Sequence, residues 1–114
     1  MGTNLLPHVH FLYYEDCPSH EQALQRLQTV MAEEGLGANI DVTRVDTEAQ
    51  AQQLNFPGSP TIRIDGKDID PAPLDTQPSL SCRAYQLEDG RISPLPSLDM
   101  IRAALRVAVS HSTK

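Results

Sequence analysis

The spacing of hydrophobic residues changes along the chain, and each spacing predicts a different kind of element. Residues 8–14 are β-branched and aromatic with apolar side chains on both faces, which is typical of a strand in the interior of a sheet. Residues 18–34 instead carry apolar side chains at i, i+3, i+4 and i+7, which predicts an amphipathic helix. Pro18 suits the first turn of this helix and Gly35 suits its end. We therefore expect a central strand that leads directly into a helix.

The next stretch repeats this order with shorter elements. Residues 39–46 alternate apolar and polar side chains, which indicates an edge strand with one face in water. Thr47 and Gln50 stand at the spacing of a helix capping box, so a short helix is expected to begin here and to end near Asn55. The order strand, helix, strand, helix predicts that each crossover joins parallel strands by a right-handed connection.

Prolines are concentrated in the second half of the chain, where seven of the nine lie from Pro57 to Pro96. Because proline interrupts long helices and strands, only short elements are expected there. The Asp-Gly pair at 65–66 predicts a two-residue hairpin turn between strands at 61–64 and 67–70. The remaining predicted segments are a loop over 71–79, one further strand within 81–87 and a closing helix over 98–109.

Length and composition limit the class of protein. The 114 residues fit one domain, 1–114, and the hydrophobic fraction of 39% and charged fraction of 21% are typical of globular chains. No stretch has the roughly 20 apolar residues of a transmembrane helix, and residues 1–16 lack the features of a secretory signal peptide. The net charge of −6 and the scattered basic residues argue against nucleic-acid binding. We expect a cytoplasmic protein that binds neither nucleic acid nor membrane.

The two cysteines, Cys17 and Cys82, are too few for a disulfide-rich scaffold, so their positions carry the information. Cys17 lies at the junction of the central strand and the first helix. There the amides of Ser19 and His20 and the positive end of the helix dipole are expected to stabilise a thiolate. Cys17 is therefore predicted to be the more reactive thiol. His20 is either a solvated first-turn residue or a neutral donor to that thiolate.

The order of elements and two short motifs resemble the thioredoxin and glutaredoxin superfamily over nearly the whole chain. The motifs are Cys-Pro-Ser-His at 17–20, which opens a helix, and Gly-Ser-Pro-Thr at 58–61, which precedes a hairpin. The hairpin sequence Ile-Asp-Gly-Lys at 64–67 is also similar to that of glutaredoxins. The resemblance implies an α/β, thioredoxin-like single domain with a central mixed sheet of four to five strands flanked by three helices.

The resemblance also implies a substrate site. Pro60 would carry a cis peptide bond beside Cys17, which would expose the carbonyl and amide of Ser59 to an extended peptide or a glutathione-like ligand. The other residues that are expected to bind substrate beside this cysteine are Thr61, Pro18 and Tyr14.

The sequence departs from the family at the position of the second active-site cysteine, which His20 occupies here. Three modes of action follow. Cys17 alone attacks disulfides and an external thiol resolves the product, or Cys82 folds back beside Cys17 and resolves it. In the third mode Cys17 and His20, with or without Cys82, bind a soft metal ion or a mercurial. The Ser-Cys-Arg-Ala-Tyr sequence at 81–85 resembles a segment that follows the Ser-Pro-Thr turn in a subgroup of thioredoxin-like proteins, which favours a role for Cys82.

We therefore expect a thiol redox protein with Cys17 as nucleophile and with His20 and Cys82 as further catalytic residues. The expected partners are disulfide-containing proteins or a low-molecular-weight thiol such as glutathione, and no resident cofactor or metal ion is expected. The alternative is a non-catalytic module of the same fold that binds a peptide, a thiol ligand or a soft metal. His8 and His10 lie on one face of a strand, which suggests either a metal site or, as the favoured interpretation, the strand surface. Arg83 either neutralises a ligand carboxylate or, as the favoured interpretation, pairs with an acidic residue at the surface.

Overall fold

The computed structural model describes residues 7–36, 39–70 and 77–112. Its elements in chain order are β1 (Val9–Tyr13), α1 (His20–Glu33), β2 (Ile40–Arg44), α2 (Glu48–Gln53), β3 (Thr61–Ile64), β4 (Lys67–Asp68), β5 (Tyr85–Gln86), β6 (Ile92–Ser93) and α3 (Leu98–Ser112). Within the described ranges no helix is long and apolar enough to cross a membrane.

Four strands form one mixed sheet in the order β2-β1-β3-β4. β1 pairs in parallel with β2 and antiparallel with β3, so it lies in the interior of the sheet and β2 lies at an edge, as their hydrophobic patterns predict. β4 pairs antiparallel with β3 at the other edge. β5 and β6 form a separate two-stranded sheet, and the sequence pattern did not predict β6. The chain is therefore an α/β domain with a four-stranded mixed sheet and three helices.

The prediction of a parallel crossover through α2 is wrong, because β3 runs antiparallel to β1. The six residues of α2 extend for about 9 Å, whereas the five residues of β2 extend for about 16 Å. The chain therefore leaves α2 near the same end of the sheet at which β2 ends, and β3 begins there. There the amide of Tyr14, directly after β1, donates to the hydroxyl of Ser59, shortly before β3. The short helix thus brings residues 58–61 to the end of β1.

The helix α1 begins at His20, two residues later than predicted, with Ser19 as its N-cap. The residues before it form a turn in which the amide of Cys17 donates to the carbonyl of Tyr14, with N and O 3.0 Å apart. Pro18 therefore precedes the helix and does not stand in its first turn. Cys17 lies in this turn, between the end of the central strand and the N-cap.

The predicted hairpin between β3 and β4 is confirmed. Asp65 and Gly66 connect the strands with φ values of 53° and 81°, the left-handed region that this two-residue turn requires. β4 is shorter than predicted, because the Asp68 carboxylate accepts a hydrogen bond from the amide of Asp70 and the chain turns there.

The region after the hairpin is less regular than predicted. Residues 71–76 of the predicted loop at 71–79 lie outside the described residues. Only Tyr85–Gln86 of the strand predicted within 81–87 forms a strand, because residues 81–83 pair with Ser59 and not with a neighbouring strand of either sheet.

Two hydrophobic clusters cover the two faces of the larger sheet. On one face α1 and α3 pack against β1 and β3 through buried side chains such as Leu27 and Leu105. Phe11 points to this cluster and Leu12 to the opposite one, as the alternation of side chains along a strand requires. The cluster on the α2 face consists of Leu12, Val45, Ala51 and Phe56. The central strand is therefore held on both sides, and the turn that carries Cys17 extends from its end.

Candidate functional site

Cys17 is a buried thiol at the end of the central strand. Its relative exposure is 1%. The thiol donates a hydrogen bond to the carbonyl of Ser59, with Sγ and O 3.5 Å apart. The side chain that was predicted to be the reactive thiol is thus turned inward, toward the backbone of the 58–61 turn.

The surroundings of Cys17 differ from those predicted for a thiolate at a helix start. Helix α1 begins three residues after Cys17, and the amide of His20 donates to the Cys17 carbonyl with N and O 3.5 Å apart. One of the two amides that were expected to face the sulfur is therefore used elsewhere. The imidazole of His20 stacks on the ring of Tyr13, with centroids 4.5 Å apart and planes inclined by 29°. Of the two roles predicted for His20, this geometry favours that of a first-turn residue.

The 58–61 turn lies beside Cys17 and is fixed by its own side chains. The Ser59–Pro60 peptide bond is cis, which confirms the expectation. The hydroxyl of Thr61 donates to the carbonyl of Gly58 over 2.6 Å, and the hydroxyl of Ser59 accepts from the amide of Tyr14 over 2.9 Å. Ser59, Pro60 and Thr61 are all buried, so the turn supports the thiol from within the fold.

Residues 81–83 run along Ser59 and occupy both of its peptide groups. The Ser59 amide donates to the carbonyl of Ser81 over 2.7 Å, and the Ser59 carbonyl accepts from the amide of Arg83 over 2.8 Å. The prediction that Ser59 exposes these groups to a peptide or a glutathione-like ligand is therefore wrong for this conformation. The protein's own chain pairs with both groups, and Ser59 is fully buried.

This pairing brings Cys82 to Cys17. Cys82 lies opposite Ser59 in a parallel bridge, and the Ser59 carbonyl accepts a hydrogen bond from the Cys17 thiol. Side-chain interaction with Cys17, together with burial, raises the pKa of Cys82 to about 11. Both cysteines are free, Cys17 buried and Cys82 exposed. Two thiols that are 65 positions apart in the sequence thus form one contact, in which only Cys82 faces solvent.

Arg83 attaches the segment that carries Cys82 to the β3–β4 hairpin. Its relative exposure is 6%, so the prediction of a surface position is wrong, although its partner is indeed an acidic residue. The guanidinium lies 2.7 Å from the carboxylate of Asp68 and also donates to the carbonyl of Asp70. Its Cζ lies 4.5 Å from the centroid of the Tyr85 ring. A buried guanidinium needs charge and hydrogen-bond partners of this kind, and the fold supplies both.

Tyr85 joins the same segment to the 58–61 turn. It is fully buried, and its hydroxyl donates to the carbonyl of Pro60 over 2.5 Å. Burial raises the pKa of Tyr85, so the hydroxyl remains a donor. Gly58 allows the backbone of this segment to approach the turn closely, because a Cβ at this position would lie 3.1 Å from the Cα of Arg83. Its φ of +140° is also a conformation that favours glycine. Residues 81–85, called the Cys82 strap below, and the 58–61 turn therefore pack as one unit.

Two further predicted residues, Tyr14 and Pro18, belong to the turn that carries Cys17. The Tyr14 hydroxyl donates to Asp16 over 3.0 Å, and this hydrogen bond to a carboxylate raises the pKa of Tyr14. The Tyr14 ring packs against the cluster on the α2 face, whereas Pro18 is exposed. The predicted residues that the structure brings together are Cys17, Ser59, Pro60, Thr61 and Cys82.

Sequence reasoning missed the residues that hold the strap. Arg83 and Tyr85 are two positions apart in an extended segment, so their side chains leave the same face. A cation and an aromatic residue at this spacing, directly after Cys82, are a signal for a shared binding surface. Asp68 gives no comparable signal, because it lies 15 positions from Arg83 on a different element.

Within the described residues, no three side chains of His, Cys, Asp or Glu are grouped so that they could hold a metal ion. His8 bonds to Asp41 over 2.5 Å and His10 to Thr43 over 2.8 Å, which links β1 to β2 on the sheet. A soft ion could therefore use the sulfur atoms of the thiol pair, but not a larger cluster of these residue types within the described ranges.

The site thus consists of a buried thiol, an exposed thiol and a cis-proline turn to which both are attached. The Ser59 carbonyl accepts a hydrogen bond from the Cys17 thiol. The Ser59 amide and carbonyl both form backbone hydrogen bonds with the strap. Comparisons with models of protein families, with curated proteins and with solved structures found no match to this chain.

Proposed function

We propose that this protein is a thioredoxin-like thiol–disulfide exchange protein whose redox centre is the pair Cys17 and Cys82. The observation that carries the proposal is the pairing of the Cys82 strap with Ser59, which places Cys82 opposite the residue whose carbonyl accepts a hydrogen bond from the Cys17 thiol. Cys17 also raises the pKa of Cys82, which requires the two side chains to be close. Of the modes that the sequence leaves open, the contact favours the one in which both cysteines take part.

The reaction is an exchange of one disulfide for another. A thiolate of the protein attacks one sulfur of an external disulfide, the external S–S bond breaks, and one external thiolate leaves. The second cysteine then attacks the protein sulfur of the mixed disulfide and displaces the other external thiolate. Two protein thiols are oxidised to one disulfide, and one external disulfide is reduced to two thiols. The reverse reaction oxidises an external dithiol. Disulfide-containing proteins and small disulfides such as that of glutathione are the proposed reactants.

Oxidation of the purified protein by glutathione disulfide tests this function. The expected product has lost two hydrogen atoms, resists alkylation at both cysteines and yields a peptide pair joined through Cys17 and Cys82. Cys17→Ser and Cys82→Ser are the matched controls, and neither is expected to give the intramolecular product. If the wild-type protein forms only glutathione adducts or intermolecular disulfides under the same conditions, the proposed dithiol centre is wrong.

A second candidate is a non-catalytic module of the same fold that binds a soft metal ion or a mercurial between the two thiols. It is favoured by the convergence of two sulfur atoms, which are ligands that soft ions prefer. Titration with Hg(II) distinguishes the candidates. Uptake of one ion per chain, lost in either serine variant, together with no turnover of glutathione disulfide or insulin, would support binding. Turnover that requires both cysteines would support exchange.

A further inference from the structure

We propose that Cys82, and not Cys17, is the sulfur that reacts with external disulfides, and that Cys17 is the internal thiol that resolves the product. This inference rests on the proposed function and reverses the roles expected from the position of Cys17 before a helix. It names the atom at which an external partner becomes attached to the protein.

The Cys82 sulfur is more accessible than the Cys17 sulfur. A thiolate attacks a disulfide along the S–S axis, so three sulfur atoms must lie nearly in line with room for the departing group. Cys17 is 1% exposed and its thiol is directed at the Ser59 carbonyl. Cys82 is exposed at the surface of the same contact. An external disulfide can therefore align with the Cys82 sulfur in the observed conformation, whereas the Cys17 sulfur offers no comparable approach.

The Cys82 strap is attached to the rest of the fold by several interactions. If residues 81–83 left Ser59, two backbone hydrogen bonds beside the Cys17 site would be lost. Farther along the strap, Arg83 forms an ion pair with Asp68 in which the side chains are only 5% and 15% exposed. The buried Tyr85 hydroxyl is bonded to Pro60. These interactions hold the strap in place. Reaction at Cys82 is therefore favoured, because it does not require the strap to leave the turn.

The sequence of steps follows from this arrangement. The Cys82 thiol gives up its proton to solvent, and its thiolate attacks the external disulfide, forming a Cys82 mixed disulfide and releasing one thiolate that takes up a proton. Cys17 then loses its proton, attacks the Cys82 sulfur from inside and displaces the second external thiolate, which takes up a proton. The atoms that join are already neighbours, so the resolving step needs no large rearrangement.

The raised pKa of Cys82 slows this route. At neutral pH most of the Cys82 thiol is protonated, because interaction with Cys17 and burial raise its pKa to about 11. Attack by Cys82 is therefore expected to be slow near neutrality and to accelerate as the pH rises. A thiolate of high basicity is also a stronger nucleophile, which offsets part of its scarcity. Slow reaction at an accessible sulfur is the expected behaviour.

The test is to locate the first mixed disulfide. Wild-type protein is mixed with glutathione disulfide, quenched with acid at short times and digested, and the glutathionylated peptide is identified by mass spectrometry. The adduct is expected on Cys82. In parallel, Cys17→Ala is expected to accumulate a stable Cys82 adduct, whereas Cys82→Ser is expected to react at Cys17 at least about tenfold more slowly. In urea the two variants are expected to react at similar rates, because burial then no longer differs.

The outcomes separate this inference from the proposed function. An early adduct on Cys17 in wild-type protein that still forms the Cys17–Cys82 disulfide would overturn the inference and leave the function intact. Absence of the intramolecular disulfide would overturn the function, and the location of the adduct in wild-type protein would still decide which sulfur is attacked. Circular dichroism of Cys17→Ala checks that the variant is folded, and the wild-type experiment does not depend on it.

Discussion

At the scale of single residues, the proximity of Cys17 affects the chemistry of Cys82. Interaction with Cys17 is the largest cause of the raised pKa of Cys82, which is about 11 in place of the usual 9.0. Alkylation of Cys82 should therefore keep accelerating with pH up to about 11, and it should not reach a plateau near 9. The reactivity of this exposed thiol is thus set by a buried neighbour.

Replacing Cys17 by alanine tests this control. Cys17→Ala removes the interactions with Cys17 but not the burial, so the pKa of Cys82 falls toward 9.0 and its thiolate fraction near neutral pH rises by up to about a hundredfold. The accompanying loss of nucleophilicity is about six- to tenfold, which leaves a gain of about tenfold in the alkylation rate. The rate of iodoacetamide reaction at Cys82, measured against pH in both proteins, provides the check. An unchanged rate and profile would mean that the two thiols are not in contact in solution.

The buried hydroxyl of Tyr85 gives a second prediction at this scale. Tyr85→Phe leaves the Pro60 carbonyl buried without its donor, so the free energy of unfolding should fall by about 1–3 kcal/mol. Tyr14→Phe is the matched control, since it removes the hydroxyl that bonds to Asp16 at the surface, and its expected cost is below about 0.5 kcal/mol. Urea unfolding of both variants measures the difference. Equal costs would contradict a structural role for the Tyr85–Pro60 hydrogen bond.

At the scale of elements, the strap and the 58–61 turn act together, and the Arg83–Asp68 ion pair connects them to the β3–β4 hairpin. Removing one partner of a buried ion pair leaves an uncompensated charge, which typically costs about 3–5 kcal/mol. Asp68→Asn should therefore lower the free energy of unfolding by an amount near the lower end of this range, since the Asp68 side chain is 15% exposed. The variant should also loosen the strap over Cys17.

A surface ion pair offers the control for this prediction. Asp89→Asn breaks the pair with Arg91, whose side chains are 56% and 75% exposed, and should cost less than about 1 kcal/mol. Both variants are compared by urea unfolding and by hydrogen exchange of the Arg83 amide, which donates to Ser59. Faster exchange at Arg83 in Asp68→Asn alone is the expected result. If Asp68→Asn is as stable as Asp89→Asn, the buried pair does not hold the strap.

The elements differ in how far their sequences predict them. β1, α1 and the Asp65-Gly66 hairpin are specified by local patterns, because the side chains that decide them lie within a few positions of one another. The direction of β3 is not specified by a local pattern, because it depends on the length of α2 relative to β2. The pairing of residues 81–83 with Ser59 was missed for a similar reason. It joins backbone groups that are distant in sequence, and the hydrophobic pattern of the side chains does not depend on which backbone groups pair.

At the scale of the whole molecule, the same limitation applies to the site. The order of elements and two motifs were enough to predict the cis-proline turn and to single out both cysteines. They predicted neither the burial of Cys17 nor the occupation of Ser59 by the protein's own chain, because both follow from where the strap returns. Local sequence therefore identified the reactive groups, whereas their accessibility is a property of the tertiary structure.

The last prediction concerns the stability of the whole molecule in its two redox states. Cys17 and Cys82 are 65 positions apart, and closing a loop of that size in the unfolded chain removes conformational entropy worth about 4 kcal/mol. If the thiol contact allows a disulfide with little rearrangement, the oxidised protein should approach this gain in the free energy of unfolding. Strain in the folded state would subtract from it.

Urea unfolding of the oxidised and reduced wild-type protein measures the difference, and Cys82→Ser should show no effect of oxidant. An oxidised protein that is less stable than the reduced one would mean that the bond distorts the fold. The thiol contact would then not be the geometry of a reversible redox centre, because by thermodynamic linkage a disulfide that destabilises the fold is correspondingly easier to reduce in the folded protein.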